Sequence, residues 1–109
     1  MSNAVLRHGS DGIDRLWLWC PGCQDLHMIY VAGGTAPWDW DGDTVAPTIS
    51  PSILVRYPTP EPHPRNVCHS FVRAGVWEFL GDCTHALAGQ HVPMSTVEPR
   101  WPWSTEEQS

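Results

Sequence analysis

Four cysteines, two in Cys20-Pro21-Gly22-Cys23 and the others at Cys68 and Cys83, constrain this chain more than any other feature. Two cysteines bracketing a Pro-Gly turn put both sulfurs on one side of a tight bend, which is half of a tetrahedral metal site. A metal that also took Cys68 and Cys83 would join the start, the middle and the end of the sequence. The N-terminus lacks the basic, apolar, small-residue order of a signal peptide, so a reducing cytoplasm is expected, where thiols bind metal rather than pair as disulfides. Zinc is therefore the expected cofactor, held by Cys20, Cys23, Cys68 and Cys83, with His27 or His69 competing for the fourth position. Unrelated buried thiols, disulfides and redox chemistry are the alternatives.

Three other readings of the Cys pair are weakened by the residues around it. Trp19-Cys20-Pro21-Gly22-Cys23 resembles the thioredoxin active site, but Pro and Gly are exchanged and no βαβ pattern surrounds it. Haem attachment needs His directly after the second Cys, where Gln24 stands. A zinc deaminase needs His-x-Glu ahead of its Pro-Cys-x-x-Cys, which this chain lacks.

A length of 109 residues makes one small domain. Eleven prolines and nine glycines break helical periodicity, so a metal staple is expected to support a small core that also draws on seven tryptophans. A formal net charge of −6 with only six Lys plus Arg excludes a nucleic-acid-binding face. No apolar run reaches the length of a membrane span. A protein or peptide is the expected partner.

The pattern predicts a mostly β, single-domain antiparallel fold with a zinc knuckle and at most one short helix. Residues 1–14 are expected to be a flexible leading segment, 15–94 the zinc-stabilised domain and 95–109 a disordered tail. Arg15–Trp19 and Leu26–Val31 alternate as two strands with the Cys turn at their tip. Trp38–Trp40 and Ile53–Tyr57 read as further strands, and Pro58–Pro64, with proline at every second position, as a stiff connector. Val67–Leu80 reads as a hairpin turning at Ala74-Gly75. Its register puts Cys68, Ser70, Val72, Trp77 and Phe79 on one face, and His69, Phe71, Arg73 and Leu80 on the other. That parity makes His69 a poor ligand for a metal on Cys68. Thr84–Gly89 reads as one helical turn.

Candidate catalytic residues are Ser52, His69, Asp82 and His85. Asp82 and His85 would be neighbours on a helical turn, and Ser52 follows a proline that can hold its hydroxyl clear of the surface. Together they suggest a hydrolytic centre with Ser52 as nucleophile, His85 or His69 as base and Asp82 orienting it. The competing explanation is that Ser52 closes a turn and Asp82 caps a helix. The tryptophan pairs Trp17/Trp19, Trp38/Trp40 and Trp101/Trp103 each share a side of extended chain and read as core and rim, or as a ligand platform.

The order Cys-Pro-Gly-Cys, His27, Trp40, Pro51-Ser52, Cys68-His69-Ser70-Phe71 and Asp82-Cys83-Thr84-His85-Ala86-Leu87-Ala88-Gly89 resembles a family of small phage and bacterial proteins, often mislabelled ammonia monooxygenase. The resemblance spans about residues 15–94. More distant relatives lie beside ubiquitin-like conjugation genes and have been proposed as peptidases, which implies a hydrolytic role with the Pro-Ser serine as nucleophile. Those relatives place a His directly before the aromatic residue, where this chain has Ser70. The resemblance also implies that Ser can replace Cys at the position of Cys83. The leading reading is a zinc-stabilised, phage-type cytoplasmic hydrolase or peptidase. The alternative is a non-catalytic, zinc-ribbon-like protein-binding module, with a catalytic zinc bearing three protein ligands and a water as a third option.

Overall fold

A computed structural model describes residues 3–34, 37–56 and 67–101. The chain forms two antiparallel sheets, one in the order β1-β2-β3 and the other in the order β4-β5-β6-β7-β8. The first contains β1 (Ala4–His8), β2 (Asp14–Cys20) and β3 (Asp25–Ala32). The second contains β4 (Asp39–Trp40), β5 (Ile49–Arg56), β6 (Val67–Arg73), β7 (Val76–Phe79) and β8 (His91–Pro93), followed by a 3-10 turn at Met94–Thr96. No α-helix occurs among the described residues, and none of their helices is long and apolar enough to cross a membrane.

Alternation decides which side of each sheet is buried. Leu16 and Leu18 of β2 and Ile29 of β3 face inward, as do Ile49 and Ile53 of β5, Val72 of β6 and Trp77 and Phe79 of β7. They form one cluster that includes all four cysteines, so a single core joins the two sheets. The β6–β7 hairpin has the expected register, Val72 opposite Trp77 and Arg73 opposite Val76. Ala74 and Gly75 both adopt positive φ at its turn. Gly75 is further required by space, because a Cβ there would lie 2.8 Å from the Ala46 Cα.

Three expectations are corrected. The leading segment holds a strand: β1 pairs with β2 from Ala4↔Leu18 to His8↔Asp14. Its start is pinned by the Asn3 and Ala4 N–H groups on the Thr44 carbonyl, which leaves Ala4 buried. Thr84–Gly89 forms turns instead of a helix, because its backbone bonds leave for β6 and for Leu80. The Ser-Pro-Ser stretch lies within β5 and not ahead of it. Of the expected tail, residues 95 and 96 complete the 3-10 turn that starts at Met94 and Trp101 is half-buried, while 102–109 lie outside the described residues, as does the Pro58–Pro64 connector.

Candidate active site and metal centre

The outer face of the larger sheet carries the polar centre. In β5 three residues, Ser50 to Ser52, lie between Ile49 and Ile53, where the facing stretch of β6 between Val72 and Ser70 has only Phe71. This bulge re-aims Ser52 while Ile49 and Ile53 both remain in the core. The Ser50–Pro51 peptide is cis. His69 pairs with Leu54 across the strands, so Ser52, two residues before Leu54, is its diagonal neighbour on the same face. The Ser52 hydroxyl donates to His69 Nε2 at 3.1 Å. At the other end of the ring, His69 Nδ1–H donates to Asp82 Oδ2 at 3.0 Å. These bonds fix the tautomer: Nδ1 carries the proton, and the Nε2 lone pair faces the serine. The site is open, with the side chains of His69 and Asp82 26% and 57% exposed.

Asp82 comes from the turn after β7, and that turn extends the sheet without being a strand. The β6–β7 ladder ends at Ser70↔Phe79, one residue short of His69. Beyond it the Leu80 N–H bonds the His69 carbonyl, and Thr84 serves Val67 through both its backbone N–H and its hydroxyl. Cys83 lies between them. Its sulfur accepts the His69 N–H at 3.2 Å and donates to the His69 carbonyl at 3.1 Å. Burial pushes the Cys83 thiol up from its ordinary range, so it keeps the proton it donates.

On the inner face, Cys20, Cys23, Cys68 and His85 are all buried, with one potential ligand atom of each within 4.8 Å of the others. The β2–β3 tip supplies the first two, the start of β6 the third and the loop after Asp82 the fourth. The Cys20 and Cys68 sulfurs lie 3.8 Å apart, and the Cys23 N–H points at the Cys20 sulfur at 3.4 Å. His85 Nε2 is buried without a hydrogen-bond partner among the described residues, and the donor set suits a cation. Without one, the sulfurs do not ionise together. Cys23 is held well below the ordinary thiol range by hydrogen bonds from Cys20 and Cys68, helped by His27. Burial pushes Cys20 up to about 12, and the neighbouring Cys20 and Cys23 sulfurs push Cys68 up. His85 is lowered, chiefly by burial. Four residues of this kind can hold a metal ion.

The four-residue cluster contains His85, where the expected set had Cys83. Both follow the same turn, but the Cys83 sulfur is occupied by His69 while the His85 ring lies over Gly22. A Cβ on Gly22 would meet His85 Cε1 at 2.3 Å and Nε2 at 2.4 Å, so glycine in the Cys turn makes room for the imidazole. The expected pairing of Asp82 with His85 is corrected for the same reason. With no helical turn between them, Asp82 reaches outward to His69 and His85 reaches inward to the sulfurs. His69 faces away from Cys68, as strand parity requires, and His27 lies against Cys23 without joining the four. Ser70 is fully buried on the inner face, opposite to the Ser52–His69 side. An aromatic chain underlies the cluster: Trp77 stacks on Phe79 at 5.6 Å, and Phe79 meets the His85 ring edge-on at 4.6 Å.

The outer face thus carries a hydroxyl, an imidazole and a carboxylate joined in series, backed on the inner face by a four-residue metal-ligand set. The chain belongs to the family of the bacterial ubiquitination-like system serine protease (BubE), whose profile it matches over residues 2–80. Ser52, His69 and three of the four clustered ligands fall inside that stretch, with Asp82 and His85 just beyond it. No curated protein and no solved structure matches the chain significantly.

Proposed function

We propose that the protein is a serine peptidase in which Ser52 is the nucleophile, His69 the general base and acid, and Asp82 the orienting carboxylate. The observation that carries this reading is the unbroken series Ser52 Oγ–His69 Nε2 at 3.1 Å and His69 Nδ1–Asp82 Oδ2 at 3.0 Å. In the first step Ser52 Oγ attacks the scissile carbonyl carbon, and its proton passes to His69 Nε2. The imidazolium is stabilised by Asp82 and then gives that proton to the departing amine, leaving an acyl-serine. Water, deprotonated by His69, releases the acid and restores the serine. The site's position on an open sheet face suits a polypeptide substrate, and the family's description suggests a protein processed within a ubiquitination-like system.

The metal in this reading is zinc, and it is structural. With zinc–sulfur bonds of about 2.3 Å at tetrahedral angles, two thiolate sulfurs lie about 3.8 Å apart. The Cys20–Cys68 separation is 3.8 Å. Three cysteines and a histidine fill all four positions, leaving none for substrate, so zinc would supply cross-linking and charge neutralisation. Cys20, Cys23, Cys68 and His85 would hold it, tying the β2–β3 tip to β6 and to the loop that bears Asp82.

Digestion of a defined peptide mixture, read by mass spectrometry, tests the activity. Wild-type protein should cleave peptides that Ser52→Ala leaves intact. Equal cleavage by both, or none by the wild type across the mixture and across ubiquitin-like fusion substrates, refutes it.

A further inference from the structure

We infer that Cys83 is a positioning residue for the Ser52–His69–Asp82 centre, its thiol standing in for a missing strand and holding the Asp82 turn against the backbone of His69. The inference rests on the peptidase reading and goes beyond it, since Cys83 touches neither the serine nor the reacting ring.

The need for such a device follows from topology. A histidine base must satisfy two directional bonds at once, so both its own backbone and the carboxylate it faces must be fixed. On one side His69 is fixed by β5 through Leu54. On the other, β7 has already ended, because its last ladder pair is Ser70↔Phe79. Asp82 lies in a turn with no helix to hold it, and its side chain is more than half exposed. Leu80 and Thr84 tie the ends of this turn to β6, but an exposed carboxylate between them would still sample many positions and hold the Nδ1 bond only part of the time.

Cys83 is the residue next to Asp82, and its sulfur bonds both polar groups of the His69 backbone, at 3.2 Å to the N–H and 3.1 Å to the carbonyl. A thiol both accepts and donates, so one side-chain atom takes the His69 N–H and adds a second bond to the His69 carbonyl, which also accepts the Leu80 N–H. The tie joins the residue after the carboxylate to the backbone of the residue that the carboxylate orients, closing a short loop around the His69–Asp82 bond. The sulfur is thereby engaged with the His69 backbone and lies outside the four-residue cluster. A hydroxyl has the same donor and acceptor pattern, so serine can replace it, whereas alanine and valine cannot.

The test is the rate at which a fluorophosphonate labels Ser52, combined with metal content, in zinc-loaded wild-type, Cys83→Ser, Cys83→Ala, Asp82→Asn and Cys83→Ala/Asp82→Asn proteins. The expected result is one metal per chain in all five. Cys83→Ala should label about 10- to 100-fold more slowly, the range a misplacement of about 1 Å produces. Cys83→Ser should stay within about 3-fold of wild type. In the Asp82→Asn background the Cys83→Ala change should cost less than about 3-fold, because both act on the same bond. A purely structural role would slow both backgrounds equally.

Loss of metal in folded Cys83→Ser overturns the assignment, as does wild-type labelling in Cys83→Ala or additivity in the double variant. If Cys83→Ala does not fold, Cys83→Ser decides alone: a folded, metal-loaded protein slowed more than about 10-fold overturns the inference. Wild-type protein that fails to label at Ser52 overturns the peptidase reading itself, and the positioning role with it.

Discussion

Gly22→Ala is a one-carbon change in the Cys20–Cys23 turn, and the structure predicts that it displaces His85, which follows β7. The new Cβ would lie 2.3 Å, 2.4 Å and 2.6 Å from Cε1, Nε2 and Nδ1 of His85. Contact below 3.0 Å is essentially forbidden and ordinary contact begins at 3.4 Å, so the ring must retreat by about 0.7–1.1 Å from its 2.3 Å separation. A metal site tolerates bond-length errors of only about 0.2 Å, so the displaced imidazole ceases to be a ligand. Binding of structural zinc is worth roughly 10–16 kcal/mol over four ligands, which makes the loss of one about 2.5–4 kcal/mol. Affinity for zinc should therefore fall by about 10²- to 10³-fold, since each 1.4 kcal/mol is tenfold. Titration against a chromophoric chelator measures this directly, with Pro21→Ala as a neighbouring control that should lose less than about 3-fold. His85→Ala should match Gly22→Ala, and the double variant should add nothing to either. Undiminished zinc affinity in Gly22→Ala would refute the claim that His85 completes the cluster over Gly22.

Other outcomes follow from the same geometry. Asp82→Asn should lower kcat by about 10²-fold with KM little changed, less than for a buried triad carboxylate because Asp82 is largely solvated, as steady-state kinetics can show. Metal removal by a chelator should lower the melting temperature and abolish Ser52 labelling together, since His85 and Asp82 share a loop, and readdition of zinc should restore both. Without metal, Cys20 and Cys68 keep their protons at neutral pH while Cys23 does not. Zinc binding should therefore release about two protons near pH 7, and affinity should fall as pH drops because protons compete for the sulfurs. Calorimetry in buffers of different ionisation enthalpy counts them, and a count near zero would contradict the thiolate assignment.

Much of this was legible from residue order because strands alternate. The Ala74-Gly75 turn sets the β6–β7 register, and that register alone puts Cys68 inward and His69 outward. It therefore separates the buried cysteine cluster from the Ser52–His69–Asp82 series. Alternation also places Leu16 and Leu18 in the core. What failed was the stretch after β7. The residue order there suggests a helical turn for Asp82 and His85 and likens Cys83 to the other cysteines. The backbone there follows β6 instead, so Cys83 is consumed by His69 and His85 crosses to the sulfurs. One signal in the sequence pointed to the histidine: glycine beside Cys23 leaves room in the turn for a ring. The β1 strand is not legible in the sequence because Ala4–His8 has no alternating apolar run, and its pairing with β2 is a tertiary matter.

The most direct test of the account is the site of fluorophosphonate modification. Zinc-loaded protein should take up one phosphonyl group, mapped by tandem mass spectrometry to Ser52, and His69→Ala should slow the reaction by more than about 10³-fold. A wild-type protein left unmodified, or one labelled equally fast without His69, would contradict it.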